Sequence, residues 1–393
     1  MNIAQAIGQL ESTVRAYTAR RDDGTPVVPV ASQRPVYLIG PPGVGKTEIV
    51  AQAAQRMNVG LVAYTMTHHT RQSALGLPAL VKRSFAGQEF TVTEYTMSEI
   101  VASVYRRQEA LGCSAGILFL DEINCVSETL TPAMLELLQH KRFGQHRLPD
   151  GWMIVCAGNP EQYNRSAHAF DPVTLDRVRV IRIEPDVSAW LDYAAGRNVH
   201  PSVRAYLKLR PEDFYQADGE GIVTARSWVD LSDMMLALES LGEPVDGLLF
   251  AQYLQCPAIA ESFSLYYALC RRISDRFQLT PESDWEALFA GAPFDQALFA
   301  RTLIEDRRRS LAAEQALQRR LSMRLQHFID GVNREITDPA DFPRAAREHL
   351  ERTQHALDVR RQAGVLSDDQ EREEILLRQK ILSALSRPDV PSR

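Results

Sequence analysis

The sequence predicts an α/β fold: a doubly wound αβα core, then an all-α lid, then a C-terminal helical extension. Three observations predict it. Short apolar, β-rich runs alternate with helical patterns from Val36 to Pro185, the pattern of a parallel sheet covered on both faces. One of these runs, Val36-Tyr37-Leu38-Ile39, leads straight into a glycine-rich loop. Beyond Asp186 the strand-like runs stop and helical periodicity takes over, broken at Pro201, Pro211 and the Gly219 to Gly221 turn. The expected domains are therefore 1–185, 186–280 and 281–393.

Taken in order, Met1 to Arg20 reads as an amphipathic helix with Ile3, Ile7, Leu10 and Val14 on one side. Pro35 to Ile39 is the first strand, and Thr47 to Met57 the helix behind it. Leu61 to Thr67, Gly116 to Leu120, Met153 to Ala157 and Val178 to Ile183 supply the other core strands. Two turn-like insertions interrupt the alternation. Leu80 to Val92 reads as a hairpin about Gly87, and Gln139 to Arg147 as a second turn with a local basic cluster; both are candidate working surfaces, weighed against solvated hairpins that touch nothing. In the tail, Leu311, Leu321, Leu325, Phe328 and Val332 share a helical face, and a further helix runs from Arg344 to Gln362 with Leu350 and Leu357 one heptad apart.

Composition narrows the class. In 393 residues, 44 basic side chains stand against 50 acidic ones, a formal charge of -6, so no global basic excess points to nucleic acid. The five cysteines contain no CxxC, which argues against a disulfide framework and a zinc ribbon and for a reducing, cytoplasmic setting. No stretch has the length and apolarity of a membrane span, and the N-terminus lacks the apolar core of a signal peptide. His68-His69 cannot chelate a metal jointly in extended chain, because adjacent side chains point to opposite faces. The arginines at 307–309 and 319–320 have acidic residues between them and read as a solvated helix face.

Three motifs carry chemistry. Gly40-Pro41-Pro42-Gly43-Val44-Gly45-Lys46-Thr47 is a complete P-loop between strand and helix, followed by Glu48. Its glycines let amide N–H groups approach phosphates. Lys46 is placed to neutralise the β and γ phosphates, and Thr47 to ligate magnesium. The loop therefore predicts binding of a nucleoside triphosphate with Mg2+. Gly116 to Leu120 is an apolar strand ending in Asp121 and Glu122: the first suits magnesium, the second can polarise water for in-line attack. Met153 to Ala157 ends in Gly158-Asn159-Pro160, where Asn159 either orients the attacking water or simply starts a turn.

Together, GPPGVGKT, ILFLDE, the CAGNP strand end and a helical lid resemble the AAA+ ATPases over Val27 to Leu238, and within them the MoxR branch. The branch rests on Leu175-Asp176-Arg177-Val178, with Val where the family has Phe, and on Thr224-Ala225-Arg226, with Ala where it has Pro. The resemblance implies a sensor 1 role for Asn159, a sensor 2 role for Arg226, and an arginine finger at Arg177, with Arg179 competing for that role. A finger acts on the neighbouring subunit's nucleotide, so the resemblance implies a homo-oligomeric ring, expected to be a hexamer. It further implies remodelling of a protein client alongside a von Willebrand factor A domain partner. That partner is expected on a separate chain, since its Asp-x-Ser-x-Ser signature is absent. The hairpin at Leu80 to Val92 resembles the insertion such proteins carry after the second strand. The competing readings are a nucleic-acid-directed motor or loader, which the charge disfavours, and a nucleotide-gated scaffold without turnover, which Glu122, Asn159 and Arg177 disfavour.

Overall fold

The computed structural model describes residues 1–68, 74, 76–127, 129–217, 221–280, 283–284, 288, 291–336, 338, 341–362 and 367–385. His69, and the Gly219 of the turn expected before Gly221, lie outside the described residues. The described residues divide into two compact units: Met1–Gln278 with Phe289–Thr302, and Leu279–Leu288 with Leu303–Arg393.

The first unit is built on a five-stranded parallel sheet. Its strands are β1 (Val36–Ile39), β2 (Gly60–Thr65), β5 (Gly116–Asp121), β8 (Trp152–Gly158) and β9 (Arg179–Arg182), in the order β2-β5-β8-β1-β9. Parallel strands need crossovers, and the crossovers cover both faces. Alternation of side chains sorts the apolar runs between those faces. Leu118, Leu120, Ile154 and Cys156 pack with Ile100, Val101, Met134 and Leu137, from α3 (Glu99–Leu111) and α4 (Thr131–His140). Ile117, Phe119, Val155 and Ala157 pack with Leu10, Ile49 and Ala53, from α1 (Ile3–Thr18) and α2 (Lys46–Met57). This is the αβα core of the sequence reading, with each buried Leu or Ile contributing roughly 1.5–3 kcal/mol of transfer free energy.

Helix α1 starts with a reciprocal cap: Asn2 accepts from the Gln5 amide at 3.0 Å, and Gln5 Oε1 accepts from the Asn2 amide at 3.1 Å. Its apolar face then buries Ile7, Leu10 and Val14. Strand β2 stops at Thr65 rather than Thr67, because β5, its only partner strand among the described residues, ends in register there, Thr65 opposite Asp121; residues 66–68 turn into a single 3-10 turn. At the other end, Arg177 closes a short helix, α5 (Pro172–Arg177), capped by Asp171, and strand pairing starts only at Arg179.

Two hairpins leave this core. β3 (Pro78–Phe85) and β4 (Gln88–Tyr95) pair antiparallel about Ala86-Gly87, both at positive φ, 51° and 83°, the backbone a two-residue hairpin turn demands. β6 (Arg142–Phe143) and β7 (His146–Arg147) form the second.

The chain beyond Asp186 is helical: α6 (Val187–Gly196), α7 (Pro201–Leu209), α8 (Ala225–Leu241), α9 (Gly247–Tyr253) and α10 (Pro257–Arg276), with a two-residue ribbon of β10 (Gln216–Ala217) and β11 (Ile222–Val223). An aromatic cluster holds it, with Phe263 edge-on to Tyr206 at 5.2 Å, to Trp228 at 5.4 Å and to Phe250 at 4.9 Å.

Helix α11 (Phe294–Glu335) begins in the first unit and continues through the second, which also contains α12 (Phe342–Gln362) and α13 (Asp368–Leu385). In the second unit Leu321, Leu377 and Ile381 form a small core against Leu325, Phe328 and Leu350. Arg320 pairs with Glu373 at 3.5 Å and Arg324 with Glu374 at 2.7 Å, so part of the arginine-rich face is paired between helices. Leu311, placed on the buried face by periodicity, is 39% exposed. Among the described residues no helix is long and apolar enough to cross a membrane.

At the N-terminal edge of the sheet the Trp152 ring lies across Gly116 and Gly60. A Cβ on Gly116 would sit 2.6 Å from that ring, and one on Gly60 2.9 Å. Gly116→Ala must displace the indole, an overpacking cost of about 1–3 kcal/mol. Urea unfolding is expected to show the loss, and unchanged stability would contradict this packing.

Candidate nucleotide site

The site forms where four strand ends and a helix start converge. At the carboxyl end of β1 the chain turns through Gly40 to Gly45 into α2, whose first residue is Lys46. A helix start presents free amide N–H groups and a positive dipole end, a ready anion site. The Lys46 side chain folds back under the loop: its Nζ donates to Gly40 O at 2.8 Å, Pro41 O at 3.0 Å and Asn159 Oδ1 at 2.7 Å. It is only 8% exposed, and this desolvation pulls its pKa down to about 8 against the opposing pull of Asp121. The Arg226 charge pushes the same way as burial. Two cations directed at one loop favour a multiply charged anion between them.

Gly43 meets the lid. It sits at φ 69°, and a Cβ there would lie 2.4 Å from Thr224 Oγ1, so the position demands glycine for both backbone and space. Thr224 is the N-cap of α8, the Arg226 amide donates to Gly43 O at 3.3 Å, and Tyr215 Oη donates to Pro42 O at 2.9 Å. The P-loop is therefore clasped by the helical part of the same compact unit. A cavity of about 270 Å³ opens beside it, lined by Gly45, Glu48, Trp190, Tyr193 and Arg226 among others. Pro41 and Val44 are buried within the loop, and Glu48, in the first turn of α2, accepts from Gln52 at 2.9 Å. A larger hollow of about 520 Å³ lies where α9 meets α10, but no P-loop residue lines it, so size alone does not mark the site.

The candidate metal ligands of the sequence reading, Thr47 and Asp121, are brought together. Thr47 Oγ1 donates to Asp121 Oδ2 at 3.1 Å, which places two hard oxygen ligands side by side. Magnesium uses one or two protein oxygens with waters and phosphate oxygens, and this pair fits that mode. Among the described residues no group of three or more His, Cys, Asp or Glu side chains gathers as a protein-only metal cage.

Glu122 stands one residue on in a left-handed backbone, φ 55°, which redirects its side chain from that of Asp121 and costs of order 1 kcal/mol or more for a non-glycine residue. Its Oε2 accepts from Thr67 Oγ1 at 2.8 Å. The sequence reading took Thr67 as a strand residue and missed this contact; the signal was a hydroxyl at the end of a strand, but the adjacency of β2 to β5 is a tertiary fact. Asn159 meets Lys46 directly and is further held by Asn124, whose Nδ2 donates to Asn159 O at 2.8 Å.

Arg177 is not brought to this cluster. Parallel pairing sets Arg179 level with Val36, four residue steps before Gly40, roughly 13 Å at about 3.3 Å per step; Arg177 lies further still toward the opposite edge. The same geometry separates the two candidate arginines. Arg179 donates to Thr13 Oγ1 at 2.6 Å and to Gln9 Oε1 and so fastens β9 to α1; both arginines are exposed.

A parallel sheet with a P-loop at one strand end and an Asp-Glu pair at another is the architecture of a P-loop nucleotide-binding domain. Residues 35–178 match the family model of the AAA domain, dynein-related subfamily. A solved structure from Cytophaga hutchinsonii, described as that of a presumptive ATPase, is similar at 16% identity and a TM-score of 0.30, over 50% of this chain and 57% of that one. The chain thus spans little more than half of that structure. No curated protein matches.

Bound phosphates raise the Lys46 pKa above its free value of about 8, so in the window above 8 the complex holds more protons than the free protein. Affinity for ATP is then independent of pH below the window and falls as pH rises through it. Titration calorimetry at pH 8 in buffers of different ionisation enthalpy is expected to show proton uptake; a heat independent of buffer would contradict the burial of this lysine.

Proposed function

We propose that this chain is a ring-forming, Mg2+-dependent ATP hydrolase of MoxR type that remodels or activates a protein client. The observation that supports this most is the convergence of buried Lys46, Arg226, the Thr47–Asp121 pair and Glu122 on one loop. In this reading Gly40 to Thr47 cradle the phosphates and Thr47 and Asp121 hold magnesium, which supplies charge neutralisation on the phosphate oxygens. Glu122, aimed by Thr67, takes the proton of the attacking water, and Asn159 orients that water. Arg226 couples γ-phosphate charge to the lid through Thr224 and Gly43.

Arg177, exposed at the far edge of the sheet, acts in trans on the site of the next subunit. That role makes the oligomer part of the active site, and a hexamer is the ring size we propose. Residues 1–185 act as the nucleotide core, 186–280 as the lid, and 281–393 as the docking module for the neighbouring protein, for which we propose a separate von Willebrand factor A domain chain in the cytoplasm. The β3–β4 hairpin supports a protein client: Leu80, Phe85 and Phe90 on it are 76%, 56% and 47% exposed, and an apolar surface of this kind suits protein better than a phosphate backbone.

Lys46→Ala is expected to abolish ATP binding, and Glu122→Gln to keep binding while lowering hydrolysis at least about 100-fold. Wild-type turnover by the Glu122 variant would refute the assignment. Affinity capture with ATP-loaded Glu122→Gln, with Lys46→Ala as control, separates the client readings: recovery of a von Willebrand-type protein supports this one, and recovery of nucleic acid alone overturns it in favour of a nucleic-acid motor.

A further inference from the structure

Asn124 is the buried polar group beside the site that the roles above leave unused. It sits three residues after Asp121, inside the turn that follows β5, and is 5% exposed. Burying a carboxamide is costly unless its donors and acceptors are met, so where it spends them is informative. Its Nδ2 donates to the Asn159 carbonyl at 2.8 Å, while the backbone carbonyl of Asn124 accepts from the His168 amide at 2.8 Å. The carboxamide is pressed flat against the strand end before Asn159: a Cβ on Gly158 would lie 2.3 Å from Asn124 Oδ1. Gly158 is thus the residue that admits Asn124 to this position.

We infer that Asn124 is a positioning residue for hydrolysis, which fixes Asn159 from behind so that its side chain is held at Lys46 and the γ-phosphate end of the loop. The inference rests on the ATPase reading of this site. Asn159 reaches Lys46 Nζ at 2.7 Å through its side chain and is tied to the turn after Glu122 through its backbone. A rotation of that turn therefore moves Asn159 and Glu122 together. The segment after Asn159 is tied to the same turn twice more, by His168 to Asn124 and by Asn164 Nδ2 to Cys125 Sγ at 3.3 Å. Phe170 then packs against Tyr37 with the rings tilted by 32° and their centroids 4.8 Å apart.

A residue that only packs would lower stability and leave kcat and its coupling to Asn159 unchanged. A residue that positions Asn159 gives a different pattern, because misplacing a catalytic group by about 1 Å costs on the order of 100-fold in rate. In the full-length protein, Asn124→Ala is expected to lower kcat about 10- to 100-fold with ATP affinity and KM within about two-fold of wild type. The double variant with Asn159→Ala is expected to be no slower than Asn159→Ala alone, since both changes remove the same effect. If Asn124→Ala does not fold, the isosteric Asn124→Asp, which lacks the donor to Asn159, takes its place in the same cycle. Wild-type kcat in the Asn124 variant, or additive losses in the double variant, with Glu122→Gln still inactive, would overturn the inference and leave the ATPase reading intact. Full activity of Glu122→Gln would instead sink that reading.

Discussion

The burial of one ammonium group organises the site. Lys46 is driven under its own loop by the strand-to-helix turn, and a desolvated cation must find acceptors or lose its proton. It finds three, two of them backbone carbonyls of the loop and the third the side chain at the end of β8. The loop is therefore folded around its lysine, and the spacing between β1 and β8 is tied to the same atom. Any ligand that takes this lysine must offer negative oxygen at comparable distance, which a triphosphate does and a neutral metabolite does not.

Strand order carries the second consequence. With β1 between β8 and β9, the P-loop lies at one end of the sheet, next to the strand ends that bear Asn159 and, one strand further, Asp121 and Glu122. Parallel pairing sends the start of β9 to the other end. In the proposed function one copy of the core thus assembles loop, metal side and water side, yet presents Arg177 away from its own P-loop. Arg179 is held by α1 instead, which supports Arg177 for the finger role in the proposed function. In the proposed function the missing cation comes from a neighbour, and turnover becomes a property of the assembly.

Much of this was legible in the sequence, and for reasons that particular residues make clear. The P-loop and the Asp121-Glu122 strand end could be read because their chemistry depends on contiguous residues. The sheet layers followed from alternation in Ile117 to Leu120. What the sequence did not show lives in tertiary adjacency. Thr67 meets Glu122 only because β2 neighbours β5, Asn124 meets Asn159 only because β5 neighbours β8, and Thr224 meets Gly43 only because the lid folds back. The choice between Arg177 and Arg179 stayed open in the sequence because both precede or begin the same strand; the contact of Arg179 with the hydroxyl of Thr13, 166 residues away, is a tertiary fact the sequence does not carry.

The claim that the active site is shared between copies is tested most directly by mixing two inactive variants, Lys46→Ala and Arg177→Ala, and measuring ATP hydrolysis against their ratio. The Arg177 variant keeps an intact nucleotide site and the Lys46 variant keeps an intact finger, so activity should reappear in the mixture and peak near equal proportions. A mixture as inactive as its components, from chains shown to assemble together, would contradict the account.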